Sequence, residues 1–594
     1  MPVLGEEKRS LVRRLGFWET LSIGVGSTIG GSIFVILGDA AGLAGPAVLL
    51  AFFLGALITL VIALNYSELA TSLPVSGGGY VFTREAVGGL ASFTTGWFLW
   101  IGNMLYAAMN AVGFALIIRL YVPGLDPVLV AELTLALFCL SNILGVKEAV
   151  RVQLVLTAVL ISGLVGLSLV ALGSMRPGAL TTPSFMPKGL SGVLAATGLI
   201  FVAYWGFESI ATVGGEIQEP ARNIPRACVL AVLVSGAIYM LVSLASLGAV
   251  GWEALASTST PLVLVGRALM GTAGEIFVSC LGAVATLTSL NAALLSAARI
   301  SYALARDGLL PEVLSAVHPR FRTPYRAVGV STLIAGLFAL SGIASFLAGA
   351  ASFGFLTGLL MVNISMIFLR RKRRYLPREF RAPAYPLTPI VAIGACLALM
   401  AFMEPLVLAM GATIIVMGTL VFLFELATPR TREGAIGGFS LASALAVLLL
   451  LYLTGVRIEV LPPELSRLVA DMLLLGAIVQ IGASLMCAIP LGEVFIRFAR
   501  PLGAIEEPGV SMPGRAVRAI KVFEMAIGAA QLFLATLVAF TIYGAYKGVV
   551  SFPGIPSAYY WPTVAIVCIA LAFFVLAGVI CGCTLLKRRY VAPV

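Results

Sequence analysis

The sequence predicts an all-α protein that crosses a membrane many times. Of its 594 residues, 60% are hydrophobic and only 11% are charged, and the mean hydropathy is +1.05. Apolar runs of about 20 residues, the length that spans a bilayer as a helix, recur along the chain. Two of these runs carry glycines and polar residues in their middle, which predicts interrupted helices and a binding site at membrane depth.

The basic residues indicate how these spans are oriented. Most of the 38 Lys and Arg fall in alternate connecting segments, and the loops on the other side hold six: Arg119, Arg176, Lys188, Arg457, Arg467 and Lys547. Because cytoplasmic loops carry the excess of Lys and Arg, we expect a multi-pass protein of the cytoplasmic membrane with both termini cytoplasmic. The net charge of +11 then reflects topology, and no nucleic-acid partner is expected.

Residue types that usually mark an enzyme or a metal centre are scarce. The eight cysteines lie almost entirely within apolar runs, without the spacing of metal ligands, and the single histidine, His318, lies in a polar loop. No nucleophile elbow is found. We therefore expect no enzymatic activity and no cofactor. The expected partners are a small-molecule substrate and membrane lipid, and the sequence does not indicate an oligomeric state.

The first apolar run, about 17–37, is expected to break in its middle. Four glycines and three hydroxyl residues lie within the stretch GVGSTIGGSIF at 24–34. Unpaired backbone groups in hydrocarbon are costly, so such a break persists only where protein, water or a ligand completes its hydrogen bonds. A half-helix that begins near Gly30 would direct its N–H groups and positive dipole end at an anion. Close packing through small residues is the alternative.

The sixth run begins near Ser191 and carries FVAYWGFES at 201–209. Its mid-depth glycine and Glu208 predict a second interruption. Because the first and sixth spans cross in opposite directions, this arrangement is typical of an inverted repeat with a central site. Glu208 is interpreted either as a proton-coupling group or as a side chain that ties the interrupted helix to a neighbour.

The remaining runs define the expected domain organisation. They predict twelve spans up to about residue 426 and four more, at about 436–455, 469–490, 520–545 and 561–586, which gives about sixteen spans in total. Residues 429–434 have the composition of a linker. We therefore expect a core at 1–430 and an accessory segment of four helices at 431–594.

Several motifs together resemble the amino acid–polyamine–organocation (APC) transporter superfamily, in order and at family spacing, over about 12–426. They are the stretch at 24–34, SGGGY at 76–80, the stretch at 201–225 and ALARDG at 303–308. Residues 142–157 are similar to the cationic amino acid transporter branch, whereas 100–103 and 201–209 are similar to the arginine/agmatine exchanger branch. The last four spans resemble no family that we identify.

The resemblance implies the leucine-transporter fold, with ten core helices in two inverted halves of five, and a secondary transporter for an amino acid or related amine that works by alternating access. It implies that backbone of the first interruption faces the substrate carboxylate, that carbonyls of the second face its ammonium group, and that two residues of the third span line the same cavity. These substrate-binding candidates are Gly26, Ser27, Thr28, Gly30 and Gly31, then Val202, Ala203 and Trp205, and finally Asn103 and Tyr106.

The coupling mechanism and the substrate remain open. In the cationic branch a fifth-helix lysine follows a threonine by three residues, whereas here Leu160 follows Thr157. We expect exchange or proton-linked transport involving Glu208, with sodium symport through the hydroxyl oxygens of Thr288 and Ser289 as the alternative. A non-transporting membrane sensor or complex subunit is the alternative from another class. The apolar neighbours Ile33, Trp205 and Phe353 favour an uncharged substrate side chain.

Overall fold

The computed structural model describes residues 15–73, 78–144, 149–175, 184–212, 214, 217–321, 323–373, 375–408, a few positions at 410–421, and the strands Arg457–Ile458 and Val550–Ser551. The chain forms two compact units, Met1–Gly411 and Ala412–Val594. In the second unit, the two short strands pair antiparallel. The elements described in the first unit are helical, in agreement with the expected all-α class.

The first seven helices lead from the amino-terminal end to the fifth expected span. Their bounds are α1 Phe17–Thr28, α2 Ser32–Ala44, α3 Val48–Ser72, α4 Gly78–Ala86, α5 Gly89–Tyr121, α6 Pro127–Leu144 and α7 Ala149–Gly173. A 3₁₀ turn, Gly45–Ala47, joins α2 to α3.

The remaining helices of this unit begin with the interrupted sixth span. They are α8 Gly189–Ile200, α9 Ser209–Thr212, α10 Pro220–Val250, α11 Trp252–Ala256, α12 Pro261–Arg306, α13 Tyr325–Ala339, α14 Ala344–Lys372 and α15 Leu387–Ala401. The 3₁₀ turns Phe201–Tyr204 and Glu312–Ser315 lie between them. Gly271, at φ +61°, kinks α12, because glycine accepts a left-handed conformation without a steric penalty.

In the described part of the chain, eight helical segments are long and apolar enough to cross a membrane, and α13 and α15 are shorter apolar helices. The expected count of sixteen spans, the inverted repeat and the boundary near residue 430 remain predictions. The four last spans and the linker at 429–434 lie outside the described residues.

Helix α5 is the central element of the first unit. It packs along α12 and α14, and nearly all of its residues from 92 to 113 are buried. A helix that is buried on every side needs an apolar surface all round, which explains why no polar stripe marks this span in the sequence. Polar side chains are nevertheless buried along this helix, among them Asn103, Tyr106 and Asn110.

Helix α4 is held against the ends of two long helices by a polar cluster. The Tyr80 hydroxyl donates to Asp307 Oδ2 at 2.8 Å, and Arg84 pairs with the same carboxylate. Burial, followed by the hydrogen bond to Asp307, raises the pKa of Tyr80, so the phenol keeps the proton that it donates. Arg373, just beyond α14, pairs with Glu85 at 2.8 Å. These contacts attach α4 to both α12 and α14.

A buried ion cluster ties α3 to the segment that follows α14. Glu68 is only 2% exposed, and its carboxylate accepts from both the Nε and the Nη2 atoms of Arg370. It also accepts from the Ala382 N–H at 2.7 Å and lies 3.5 Å from Arg378 Nε. The Arg370 guanidinium also stacks 4.0 Å from the Tyr385 ring. The Glu68 carboxylate therefore holds together α3, the end of α14 and the segment that follows α14.

Replacing this carboxylate should destabilise the protein. Glu68→Gln leaves two largely buried guanidinium groups without their counter-charge, and breaking a buried pair in this way costs about 3 kcal/mol or more. We expect a clearly lower melting temperature of the purified protein in scanning fluorimetry. Glu379→Gln, at an exposed position nearby, is the matched control and should leave the melting temperature unchanged. Equal melting temperatures for both variants and the parent would contradict this account.

Candidate functional site

The first interruption lies between α1 and α2, where the sequence analysis predicted it. Helix α1 ends at Thr28, Ile29 is extended with ψ 96°, and α2 starts at Ser32. The first N–H groups of a helix have no acceptor within it. Here the Gly31 N–H donates to Ser289 Oγ on α12 at 3.2 Å. The positive end of α2 therefore points into the middle of the bundle.

The second interruption lies between α8 and α9, again as predicted. After the 3₁₀ turn Phe201–Tyr204, Trp205 is extended and Gly206 has φ +140°, a conformation that favours glycine. Glu208, which is 8% exposed, accepts the Gly206 N–H on Oε2 at 2.7 Å. The carboxylate thus closes the turn within its own span. This contact agrees with a structural role for Glu208, and its predicted role in proton coupling remains a prediction.

The two interruptions touch through their backbones. A Cβ atom on Gly206 would collide with the backbone of Ser27 and Thr28. Glycine is therefore required at this crossing for two independent reasons, its positive φ angle and the space available. The structure thus brings together Ser27 and Thr28 from the first candidate stretch and Ala203 and Trp205 from the second.

Tyr239 on α10 joins the two interruptions by hydrogen bonds. Its side chain is fully buried, and its hydroxyl lies 2.7 Å from the Thr28 carbonyl oxygen and 2.9 Å from that of Ala203. A single hydroxyl thereby links the carboxyl end of α1 to the second interruption. The sequence analysis did not identify this residue.

Residues of α5 and α12 form the wall beside the start of α2. The Tyr106 hydroxyl accepts from Ser32 Oγ at 3.1 Å and lies next to Gly30, where a Cβ atom would also collide with Ser289 Oγ. The Oδ1 atom of Asn110 lies against Gly31 and has no hydrogen-bond partner among the described residues. A buried acceptor without a donor is uncommon, so this oxygen is available to a polar ligand or a water molecule.

Asn103 and Trp100, also on α5, are not directed at the start of α2 as Tyr106 is. Asn103, which is 2% exposed, donates from Nδ2 to the Leu99 carbonyl of its own helix at 2.7 Å. Trp100 donates to Ser331 on α13 at 2.9 Å and so points away from the interruptions. Of the two predicted cavity residues on this helix, Tyr106 is hydrogen-bonded to the start of α2, whereas the hydrogen bond of Asn103 stays within α5.

An aromatic pair closes the site on the side of α14. The rings of Trp205 and Phe355 stack at 3.8 Å with an interplanar angle of 6°, and Tyr106 approaches Phe355 edge-on at 6.2 Å. The sequence analysis named Phe353 as an apolar neighbour of the substrate, but the Phe353 ring packs against Phe98. Residues two apart on a helix face different directions, so only the packing of α14 decides which phenylalanine reaches the site.

Of the two hydroxyl residues proposed for sodium coupling, Ser289 contacts the first interruption. Ser289 Oγ accepts from Gly31, as described above, whereas Thr288 Oγ1 is hydrogen-bonded to the carbonyls of Val284 and Ala285 on its own helix. On the opposite side, Gly26 packs against the Thr157 hydroxyl. Among the described residues no group of three or more His, Cys, Asp or Glu could hold a metal ion. Sodium binding and proton coupling both remain predictions.

The geometry suits a small zwitterion. The positive end of α2 attracts an anion, and the carbonyl-bearing ends of α1 and the 3₁₀ turn attract a cation. Within the predicted set, Glu208 is the only acidic or basic side chain, and its carboxylate is turned towards its own backbone. Recognition of both charged groups would therefore depend on the backbone, with aromatic side chains beside it.

Three residues that shape this site were missed by sequence reasoning: Tyr239, Asn110 and Phe355. The first two are polar groups within otherwise apolar spans, which is the signal that could have identified them. Phe355 carries no such signal, because the sequence around it is apolar or small throughout.

Comparisons with known proteins agree with this description. The sequence profile of the family described as amino acid permease matches residues 15–424. The chain is 32% identical to the branched-chain amino acid permease BcaP of Bacillus subtilis over 66% of this chain and 88% of that protein. It is 31% identical to a methylthioribose transporter of the same organism over 70% of this chain and 94% of that protein. It is also 31% identical to the vacuolar cationic amino acid transporter 2 of Arabidopsis thaliana, over 61% of this chain and 60% of that protein.

Removing the Tyr239 hydroxyl should loosen both interruptions together. In Tyr239→Phe the carbonyls of Thr28 and Ala203 lose a buried partner, so we expect backbone amides at 24–32 and 201–209 to exchange hydrogen about tenfold faster. Hydrogen–deuterium exchange mass spectrometry measures this change. Tyr204→Phe is the control, because that hydroxyl bonds to Phe52 on α3 and its loss should affect only 201–209. Unchanged exchange at 24–32 in Tyr239→Phe would show that the Tyr239 hydroxyl does not stabilise the first interruption.

Proposed function

The chain belongs to the amino acid permease family, and we propose that it is a secondary transporter that carries an amino acid across the membrane by alternating access. The observation that carries this proposal is the meeting of the two interrupted helices, where the positive end of α2 lies beside carbonyls that Tyr239 joins. A carboxylate and an ammonium group on neighbouring atoms fit such an arrangement. Membrane sensing without transport is the rival, and measured flux separates the two.

We propose further that the transported side chain is uncharged and apolar. The stacked rings of Trp205 and Phe355 border the site, and no basic residue belongs to the predicted set. A cationic side chain would need an acidic partner at this depth, but the Glu208 carboxylate already accepts the Gly206 N–H. The name of the relative BcaP, a branched-chain amino acid permease, supports this choice.

A ligand screen tests the substrate class. Purified protein is heated with leucine, isoleucine, arginine, putrescine or methylthioribose, and binding raises the apparent melting temperature by mass action. We expect stabilisation by leucine and isoleucine only. Gly30→Ala should abolish it, because the new methyl group would collide with Ser289 Oγ and crowd the Tyr106 hydroxyl. Gly394→Ala on α15, where a methyl group meets nothing within 4 Å, is the control and should retain it. Stabilisation by arginine or methylthioribose alone would refute the proposed class.

Coupling is proposed to be exchange or proton-linked transport involving Glu208. The fifth span offers no lysine to the first interruption, because Leu160 stands three residues after Thr157, and the Thr157 hydroxyl itself packs against Gly26. Sodium symport through Thr288 and Ser289 is the alternative, since Ser289 lies beside Gly31 and hydroxyl oxygens suit a hard cation. The excess of Lys and Arg in alternate loops supports cytoplasmic termini.

Uptake into proteoliposomes distinguishes these mechanisms. Sodium, proton and internal-substrate gradients are imposed separately on the parent protein, Glu208→Gln and Thr288→Ala. We expect uptake to follow the proton gradient or internal substrate. Under a proton gradient, Glu208→Gln should reduce uptake severalfold, because a neutral amide cannot exchange a proton. Stimulation by sodium alone, lost in Thr288→Ala and retained in Glu208→Gln, would establish the alternative.

A further inference from the structure

Helices α6 and α13 enclose a furrow that is separate from the helix interruptions. Glu132, near the start of α6, contacts Gly336, near the end of α13, while the carbonyl of Ile143, at the other end of α6, accepts from Thr323 just before the start of α13 at 2.7 Å. The two helices therefore run antiparallel. The furrow between them has a volume of about 450 Å³, within the range of small-molecule sites. None of its lining residues belongs to the site described above.

The surroundings of the furrow indicate that it opens to lipid. Leu137 on α6 is 65% exposed and Leu333 on α13 is 67% exposed, and Leu140, Leu337 and Leu340 are exposed as well. In a helix that crosses a membrane, exposed leucines are suited to contact acyl chains rather than water. An occupant of the furrow would therefore come from the bilayer and would present an apolar surface along most of its length.

Glu132 is the exception in this apolar furrow. Its Oε1 atom is enclosed and has no hydrogen-bond partner among the described residues, and none of the ion pairs found there involves it. Gly336 provides the space for the carboxyl group, since a Cβ atom there would lie 2.6 Å from Oε2. An unpaired carboxyl group at a lipid-facing position is costly, which points to a function and a missing partner.

The furrow runs along most of α6. From Glu132 to Ile143, the last residue but one of the helix, the helical rise is about 16 Å, which is about half of the hydrocarbon thickness of a bilayer. Gly336 lies three residues before the end of α13 at Ala339, a rise of about 4.5 Å. The carboxyl group therefore lies near one end of the furrow, close to the level of the head groups, and the apolar part extends towards the other leaflet.

We propose that this furrow binds a phospholipid whose head group carries a primary ammonium, with one acyl chain along the leucines and the ammonium at Glu132. An ammonium group supplies both a positive charge and N–H donors for the Glu132 carboxyl group, and such charge-assisted bonds are strong where water is excluded. A trimethylammonium head group has the charge but no N–H donor. A glycerol head group lacks the positive charge.

Lipid retention by the full-length protein tests this assignment. The protein is extracted into detergent and exposed to equal amounts of phosphatidylethanolamine, phosphatidylcholine and phosphatidylglycerol with matched acyl chains, and bound lipid is counted by native mass spectrometry. We expect the ethanolamine lipid to be retained about tenfold more strongly than the others, as one charge-assisted hydrogen bond allows. Glu132→Gln should remove the preference while leaving the melting temperature near that of the parent.

Two further variants identify the place of binding. Gly336→Ala should also reduce the preference, because its methyl group displaces the carboxylate. Glu312→Gln, an exposed glutamate outside the furrow, should retain it. Equal retention of all three lipids, or a preference that survives Glu132→Gln, would overturn the proposal. So would a dimer that Glu132→Gln dissociates in the absence of bound lipid, since a second copy would then be the occupant.

Discussion

The need to pair backbone polar groups at membrane depth governs the centre of this protein. Each helix interruption releases N–H and C=O groups that water cannot reach, and unpaired groups there are costly. Side chains from other helices satisfy them: Ser289 accepts from Gly31, Ser352 accepts from Val202, and Tyr239 binds the carbonyls of Thr28 and Ala203. The positions of α10, α12 and α14 are therefore tied to the interruptions.

This arrangement separates two aspects of recognition. Backbone groups of the interruptions would bind the parts that all amino acids share, whereas the stacked Trp205 and Phe355 would meet the part that differs. Gly206 approaches the backbone of Ser27 and Thr28 closely, so the two interrupted helices are in direct contact at the place where the proposed alternating access would act.

Two glutamates show how environment decides the role of a carboxyl group. Glu68 is surrounded by donors from Arg370, Arg378 and Ala382, so its charge is fully compensated and it holds distant segments together. Glu132 has an enclosed oxygen without a hydrogen-bond partner among the described residues and faces a furrow lined mainly by apolar side chains. The first is a structural tie, whereas the second is a place where a cationic ligand would gain most.

The sequence alone determined the membrane class, the locations of both helix interruptions and most of the residues that meet there, because hydropathy and helix-breaking glycines are local properties. Tertiary structure decided which side chains complete the site. Tyr239 lies on the span after the second interruption and Phe355 on a more distant one, and Phe355 reaches the site instead of Phe353 only through the rotation of α14. Such choices depend on how helices pack against one another, and a local pattern of residues does not contain that information.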